Sequence, residues 1–161
     1  MAELAVVNSS PLIFLAKAGM VDLLRLLSPQ VMVPDTVAQE IGQRGPEDLT
    51  AHALAVTPWL VTVPVAAVPP LIQSWDLGAG ESAVLAYAHA NPGTTAIIDD
   101  GAGRRCATML GIPLSGTLGL VLLAKRRGSI PAARPVIATL KQHGMFLSET
   151  TIDRALALVG E

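Results

Sequence analysis

The chain has 161 residues and a mass of 16.7 kDa, the size of one domain and long enough to bury a core without disulfides or metal staples. Hydrophobic residues make up 51% and charged residues 15%, which excludes an intrinsically disordered chain. Eleven Lys and Arg against thirteen Asp and Glu leave a net charge of −2, so a broadly basic surface is excluded and any nucleic-acid contact must come from local patches.

Leu4 to Val7 is a short apolar run that reads as a buried strand. Ser9-Ser10-Pro11 follows, a hydroxyl N-cap with proline at the first helical position, and the helix runs to about Ala18 before Gly19. Val21 to Leu27 is a second amphipathic stretch. Val31-Met32-Val33 is a second strand, ended by Pro34. Asp35 or Thr36 can cap a helix with Val37 and Ile41 on one face. Beyond it, Pro46 to Ala55 reads as helix and Trp59 to Val63 as extended chain, while Pro64, Pro69 and Pro70 punctuate a loop.

Gly78-Ala79-Gly80 opens a helix from Glu81 to about Ala90. Thr95 to Ile98 is a strand that ends in Asp99-Asp100, and Gly103 to Leu110 is helical. Ile112 to Leu114 is a fourth strand, and Thr117 to Arg127 is a helix closed by Gly128. Ala132 to His143, Met145 to Leu147 and Ser148 to Val159 read as helix, short extended piece and helix. Short apolar strands alternating with helices predict an α/β fold, with a parallel sheet covered on both faces. No repeat or linker interrupts residues 1–161, so a single domain is expected.

The only cysteine, Cys106, reads as a small buried hydrophobe and suits a reducing compartment. Met1-Ala2-Glu3-Leu4 lacks the basic stretch of a secretory signal. Leu110 to Ala124, the most apolar stretch, is shorter than the roughly 20 residues a membrane span requires. A soluble, cytoplasmic protein with no membrane association is expected. Aromatics are only 3% and mean hydropathy is +0.51, so Ala, Val and Leu carry the core and some apolar surface is expected to be buried in an oligomer.

Ligands of open α/β sheets bind beyond the carboxyl ends of the strands. Asn8-Ser9-Ser10 follows the first strand and Asp99-Asp100 the strand ending at Ile98. Two adjacent carboxylates repel unless something neutralises them. The pair reads either as a strand end with a helix cap or as an oxygen-ligand site for a divalent metal. Strand neighbours point to opposite faces, so both acids reach one site only if the strand has already ended. Glu81 falls in the first turn of its helix, where the dipole favours a carboxylate whatever its role. Glu40 lies on the margin of an apolar helix face.

Other motifs fail. His52, His89 and His143 have no ligand spacing and read as solvated. Ser115 lacks the flanking glycines of a nucleophile elbow. The Gly-x-Gly turns at 78–80 and 101–103 complete no nucleotide fingerprint. Lys125-Arg126-Arg127 reads as a helix C-terminal cluster. Arg104 and Arg105 supply counter-charge of the kind a phosphate beside a metal site needs.

The chain resembles PIN-domain proteins and is similar to a bacterial and archaeal PIN-like group known as a domain of unknown function. The resemblance runs nearly end to end. It rests on Val7-Asn8-Ser9-Ser10-Pro11-Leu12-Ile13 with Leu15-Ala16-Lys17, and on Val33-Pro34 with Val37 and Glu40-Ile41. It continues through Leu77-Gly78-Ala79-Gly80-Glu81, Ile98-Asp99-Asp100 with Gly103-Arg104, Gly111-Ile112, Gly116-Thr117-Leu118-Gly119 and Ala124-Lys125.

The resemblance implies a PIN-like three-layer α/β/α sandwich around a central parallel sheet. It implies a Mg²⁺- or Mn²⁺-dependent ribonuclease of the VapC-toxin kind, acting on single-stranded or structured RNA, with a small antitoxin partner and a homodimer. Carried over by position, the acids are Glu40, Glu81 and Asp100, with Asp99 beside it, and the first acid of the pattern falls on Asn8. Glu81 and Asp100 are the expected direct ligands, with Asn8 and Asp99 completing the metal set. Glu40 would bind metal or orient water. Ser9 or Ser10 would fix the loop, and Arg104, with Ser10, would steady the scissile phosphate. An amide at position 8 can bind a hard cation but brings no charge, which lowers affinity. The alternative is a PIN-fold module of weak or no activity that binds RNA or a protein.

Overall fold

The computed structural model describes residues 4–65 and 67–161, so Met1 to Glu3 lie outside the described residues. Strands and helices alternate as β1 (Ala5–Val7), α1 (Ser9–Lys17), a 3₁₀ helix (Val21–Leu26), β2 (Val31–Pro34), α2 (Asp35–Gly42), α3 (Leu49–Val56) and β3 (Leu60–Val63). The chain continues through α4 (Pro70–Gln73), α5 (Ala79–Ala90), β4 (Thr95–Ile97), α6 (Gly101–Met109), β5 (Leu114–Ser115), α7 (Thr117–Arg126), α8 (Arg134–Gln142) and α9 (Glu149–Ala157).

The five strands form one sheet in the order β3-β2-β1-β4-β5, every pair parallel. Helices flank the sheet in a three-layer α/β/α sandwich. Helix α5 packs on β1, β2 and β4 and touches α2, α4 and α6, while α7 gathers α1, the 3₁₀ helix, α8 and α9. Strands β1 and β2 are buried throughout, as Ala5-Val6-Val7 and Val31-Met32-Val33 demand by having no polar position to turn outward. Val7, Val33, Ile97, Leu12, Val84 and Leu120 are fully buried in the common core, where each large side chain contributes roughly 1.5–3 kcal/mol.

The chain runs outward from β1 to β2 to β3, then returns to place β4 on the other side of β1. The crossover direction reverses between β1 and β4, and there the crevice of an open parallel sheet forms. Asn8 follows β1 and Asp99-Asp100 follow β4, so topology alone brings these segments together.

Several boundaries differ from the sequence reading. Asn8, rather than Ser9 or Ser10, occupies the cap position of α1, and Pro11 is its third residue. The Asn8 N–H donates to Ile97 O at 3.0 Å, so the sheet ladder runs to the helix without an intervening loop. Pro34 sits at the cap position of α2 and Asp35 is already helical. The stretch from Pro46 becomes helical only at Leu49, because the Asp48 carboxylate caps Thr50 N and Ala51 N. Trp59 to Val63 yields a true edge strand, which makes the Leu114–Ser115 strand the fifth. Pro70 opens a one-turn helix in the proline-rich loop. Residues 145–147 link α8 to α9 outside the sheet. Strand β4 stops at Ile97, one residue early, so Asp99 and Asp100 are free of the strand's alternation.

Cys106 is fully buried, and burial pushes its thiol above the ordinary range, which suits an inert core residue. The three histidines are exposed, as expected. No helix among the described residues is long and apolar enough to cross a membrane.

Candidate active site at the carboxyl edge of the sheet

A parallel βαβ chain starts its helices at the carboxyl edge of its strands, so α1, α2, α5, α6 and α7 all begin there. Their N-termini carry partial positive charge, which favours carboxylates without any Lys or Arg. Three of the four candidate acids, Glu81, Asp99 and Asp100, occupy these positions. Glu40 lies near the end of α2, Glu81 in the first turn of α5, Asp100 at the cap of α6, and Asp99 beside the start of α7. None of the four has a Lys, Arg or His nitrogen within 4.0 Å among the described residues.

Two groups of contacts organise them. In the first, Asn8, only 3% exposed, donates from Nδ2 to Glu81 Oε1 at 3.2 Å. Ser9 Oγ donates to Glu40 Oε2 at 2.6 Å and lies 3.5 Å from Asn8 Oδ1. Gly80 closes this group from α5. A Cβ there would come 2.8 Å from Glu40 Oε1 and 2.9 Å from Asn8 Oδ1, so the missing side chain is what lets the oxygens approach the helix. Gly78 has the same relation to Glu81, whose Oε2 would collide with a Cβ.

In the second group, Asp99 accepts from Thr117 N at 2.8 Å and from Thr117 Oγ1 at 2.6 Å, pinning the start of α7 to the end of β4. Asp100 Oδ2 accepts from Gly103 N at 3.0 Å, a helix-capping bond that leaves its other oxygen without a bond among the described residues. Arg104 Nη1 donates to Ile98 O at 2.9 Å and is held against the same strand end. Gly116 makes room for it, since a Cβ would lie 2.6 Å from Arg104 Nη1 and 3.1 Å from Asp99 Oδ1.

Glu81, Asp99, Asp100, Arg104 and Ser10 line one open cleft of about 950 Å³. Asn8 and Glu40 do not line it; Asn8 is joined to it through Glu81, and Glu40 is bonded to Ser9. The structure therefore gathers the sequence candidates at one edge but divides them. The sequence reading missed Thr117 as the partner of Asp99, although a threonine opening a helix after Gly116 marks a backbone N–H available to an acceptor. It also missed Phe146, Arg126 and Arg154 on the far wall of the cleft, which follow no motif.

Among the described residues no three His, Cys, Asp or Glu side chains converge as a cluster able to hold a metal ion. The donor chemistry nevertheless fits a hard divalent cation. It is all oxygen, it includes carboxylates without cationic partners, and Asn8 Oδ1 and Glu40 Oε1 converge on the one point a Gly80 Cβ would fill.

A parallel α/β/α sandwich with carboxylates gathered at its switch point belongs to the class of open-sheet proteins that bind a ligand beyond the carboxyl ends of their strands. A family model described as a PIN domain matches residues 4–161, and the chain belongs to the PIN-domain family. No curated protein matches the chain. PIN domains are generally nucleases that use divalent metal ions, and a nucleic acid is the substrate this membership indicates.

Proposed function

We propose that residues 1–161 act as a single PIN-like domain, an endoribonuclease that hydrolyses RNA phosphodiester bonds with Mg²⁺ or Mn²⁺. The observation that carries this reading is the lining of one cleft at the switch point by Glu81, Asp99, Asp100 and Arg104. Glu81 and Asp100 would hold the metal, with Asn8 offering its amide oxygen. Asp99 gives both oxygens to Thr117, which favours a positioning role over a ligand role. When bound, the metal supplies an activated water and a sink for charge on the non-bridging oxygens. Arg104 faces the cleft from a fixed position, where a guanidinium steadies a phosphate. Glu40, held by Ser9, lies where it can orient Asn8 and water.

The reading extends to the toxin of a type II toxin–antitoxin pair in the cytoplasm, with a small antitoxin and a homodimer as partners. The support for partners is the exposed apolar surface away from the cleft, including Leu49, Val56 and Leu71. Asn8 favours a second reading, a silent module that binds RNA or protein, because its amide hydrogen-bonds Glu81 where a carboxylate would repel it.

Incubation of the purified protein with a mixed single-stranded RNA pool separates the two. Cleavage with Mg²⁺ or Mn²⁺ that EDTA and Asp100→Asn both abolish is expected. A wild-type protein that leaves the pool intact, beside an Asn8→Asp variant that cuts it, refutes activity and supports the silent module.

A further inference from the structure

The chain holds two Phe, two Trp and one Tyr. Three of these five line two adjoining clefts beside the acidic edge. Phe14 and Phe146 belong to the large cleft, and Trp75 to a second cleft of about 450 Å³. The clefts meet at Arg104 and Leu114, which line both. Phe146 is 93% exposed, on the segment between α8 and α9. An aromatic ring so placed gains nothing from the core, and the apolar wall around it comes from Leu118, Leu122 and Met145.

Charge is arranged to match. Arg126 and Arg154 stand on the Phe146 side and Arg105 on the Trp75 side, all exposed. None has a carboxylate within 4.0 Å among the described residues. In a chain of net charge −2, these cations beside the exposed Phe146 ring and the half-buried Trp75 ring make a local polyanion path flanking an acidic centre.

We propose that Trp75 and Phe146 are base-stacking platforms for a single-stranded nucleic acid. The strand lies through both clefts, with Arg105, Arg126 and Arg154 on its phosphates and Arg104 at the junction. This rests on the nuclease reading for the identity of the strand as RNA, and adds where the nucleotides flanking the acids bind. Flat rings take any base, so the platforms select unpaired strands over duplex without fixing a sequence. A duplex keeps its bases stacked on one another and leaves the rings empty.

The test is equilibrium binding of a short fluorescein-labelled RNA of mixed sequence, measured by anisotropy in EDTA so that no cleavage occurs. A duplex and a DNA strand of the same sequence serve as comparisons. Phe146→Leu and Trp75→Leu keep an apolar side chain and remove the ring. Phe146 is exposed enough that its variant keeps the fold, and far-ultraviolet dichroism checks the half-buried Trp75 variant. Each variant is expected to weaken single-strand binding by about 5- to 100-fold, the loss of one base–aromatic stack. Quenching of tryptophan fluorescence on RNA binding should persist in Trp59→Phe and vanish in Trp75→Leu.

Wild-type affinity in both variants overturns the proposal and leaves the apolar wall to a protein partner. Equal affinity for duplex and single strand also overturns it. Because binding is read without metal, RNA that binds as expected but is never cut supports the platforms while refuting the nuclease. A preference for DNA corrects the strand's identity and leaves the platforms standing.

Discussion

Replacing Asn8 by Asp isolates the one contact that decides between an active and a silent site. The two residues have nearly the same shape, but the donor that reaches Glu81 Oε1 at 3.2 Å is lost. Two carboxylate oxygens then face each other at that distance. At an effective dielectric constant of about 20 their unrelieved repulsion is about 5 kcal/mol. Rotation of the Glu81 side chain, which is half-buried, removes much of it. The lost hydrogen bond to a charged acceptor adds about 1.5–3 kcal/mol. A net loss of roughly 2–4 kcal/mol is expected in EDTA at neutral pH, which lowers Tm by about 5–15 °C for a domain of this size. The repulsion exists only while both groups carry charge, so the deficit shrinks as pH falls. Millimolar Mg²⁺ or Mn²⁺ is expected to reverse it, and to shift the wild type less. Thermal melts in EDTA, in each metal and at two pH values give every quantity. A variant as stable as the wild type in EDTA refutes the Asn8–Glu81 contact. A deficit that acid repairs and metal does not refutes a metal site at these residues.

Gly80→Ala gains up to about 1 kcal/mol of helix propensity but pushes on Glu40 Oε1 and Asn8 Oδ1. The exposed Glu40 can yield, but the buried Asn8 must shift too, so chemical denaturation should show a loss of about 1–2 kcal/mol, while RNA cleavage falls by at least about tenfold. Asp100→Asn keeps an acceptor for Gly103 N and should leave Tm nearly unchanged while abolishing cleavage, whereas Asp99→Ala breaks both bonds to Thr117 and should cost about 1–2 kcal/mol in a urea titration. At Asp48, burial raises the pKa, but the bonds from Ala51 N, Arg44 and Thr50 N and the charge of Arg44 outweigh it, so the net shift is downward. Its folded-state pKa is therefore below the unfolded one, and its contribution is full above the ordinary carboxylate range and lost as pH falls through the folded value. Asp48→Asn should flatten the decline of Tm below about pH 4.

The architecture was legible because it rests on patterns that a sequence carries directly. Apolar runs without alternation can be satisfied only between two helical layers, and each run is followed by a helix, so a parallel sheet is the economical solution. Element ends were less legible. The start of α1 at Ser9 follows from a tertiary bond between Asn8 N and Ile97 O, which joins residues 89 positions apart and leaves no local mark. The strand at 60–63 is short, with only Leu60 buried, so its alternation is weak. The collection of Asn8, Glu81, Asp99 and Asp100 at one edge was legible, since strand order and carboxyl ends suffice to place them. The commitment of Asp99 to Thr117 was not, because a carboxylate beside a strand end gives no sign of which helix N-terminus it will meet.

That commitment explains how two adjacent acids coexist without a cation. Asp99 turns toward the N-terminus of α7 and Asp100 toward that of α6, so each meets a helix end with free N–H groups and their charges diverge. Glu81 lies in the first turn of α5, where the helix dipole favours it, and is held by the Asn8 amide. The edge can therefore fold with no metal present, which a bare cluster of acids could not do. Asn8 is part of that economy: a carboxylate at its position would face Glu81 at close range, since the Asn8 side chain makes no capping bond to α1 and turns to Glu81 instead. The substitution that lowers the charge available to a cation is thus also the one that lets the site stand preassembled without it. On this argument the metal dependence of stability should be small in the wild type and large only once residue 8 is made acidic.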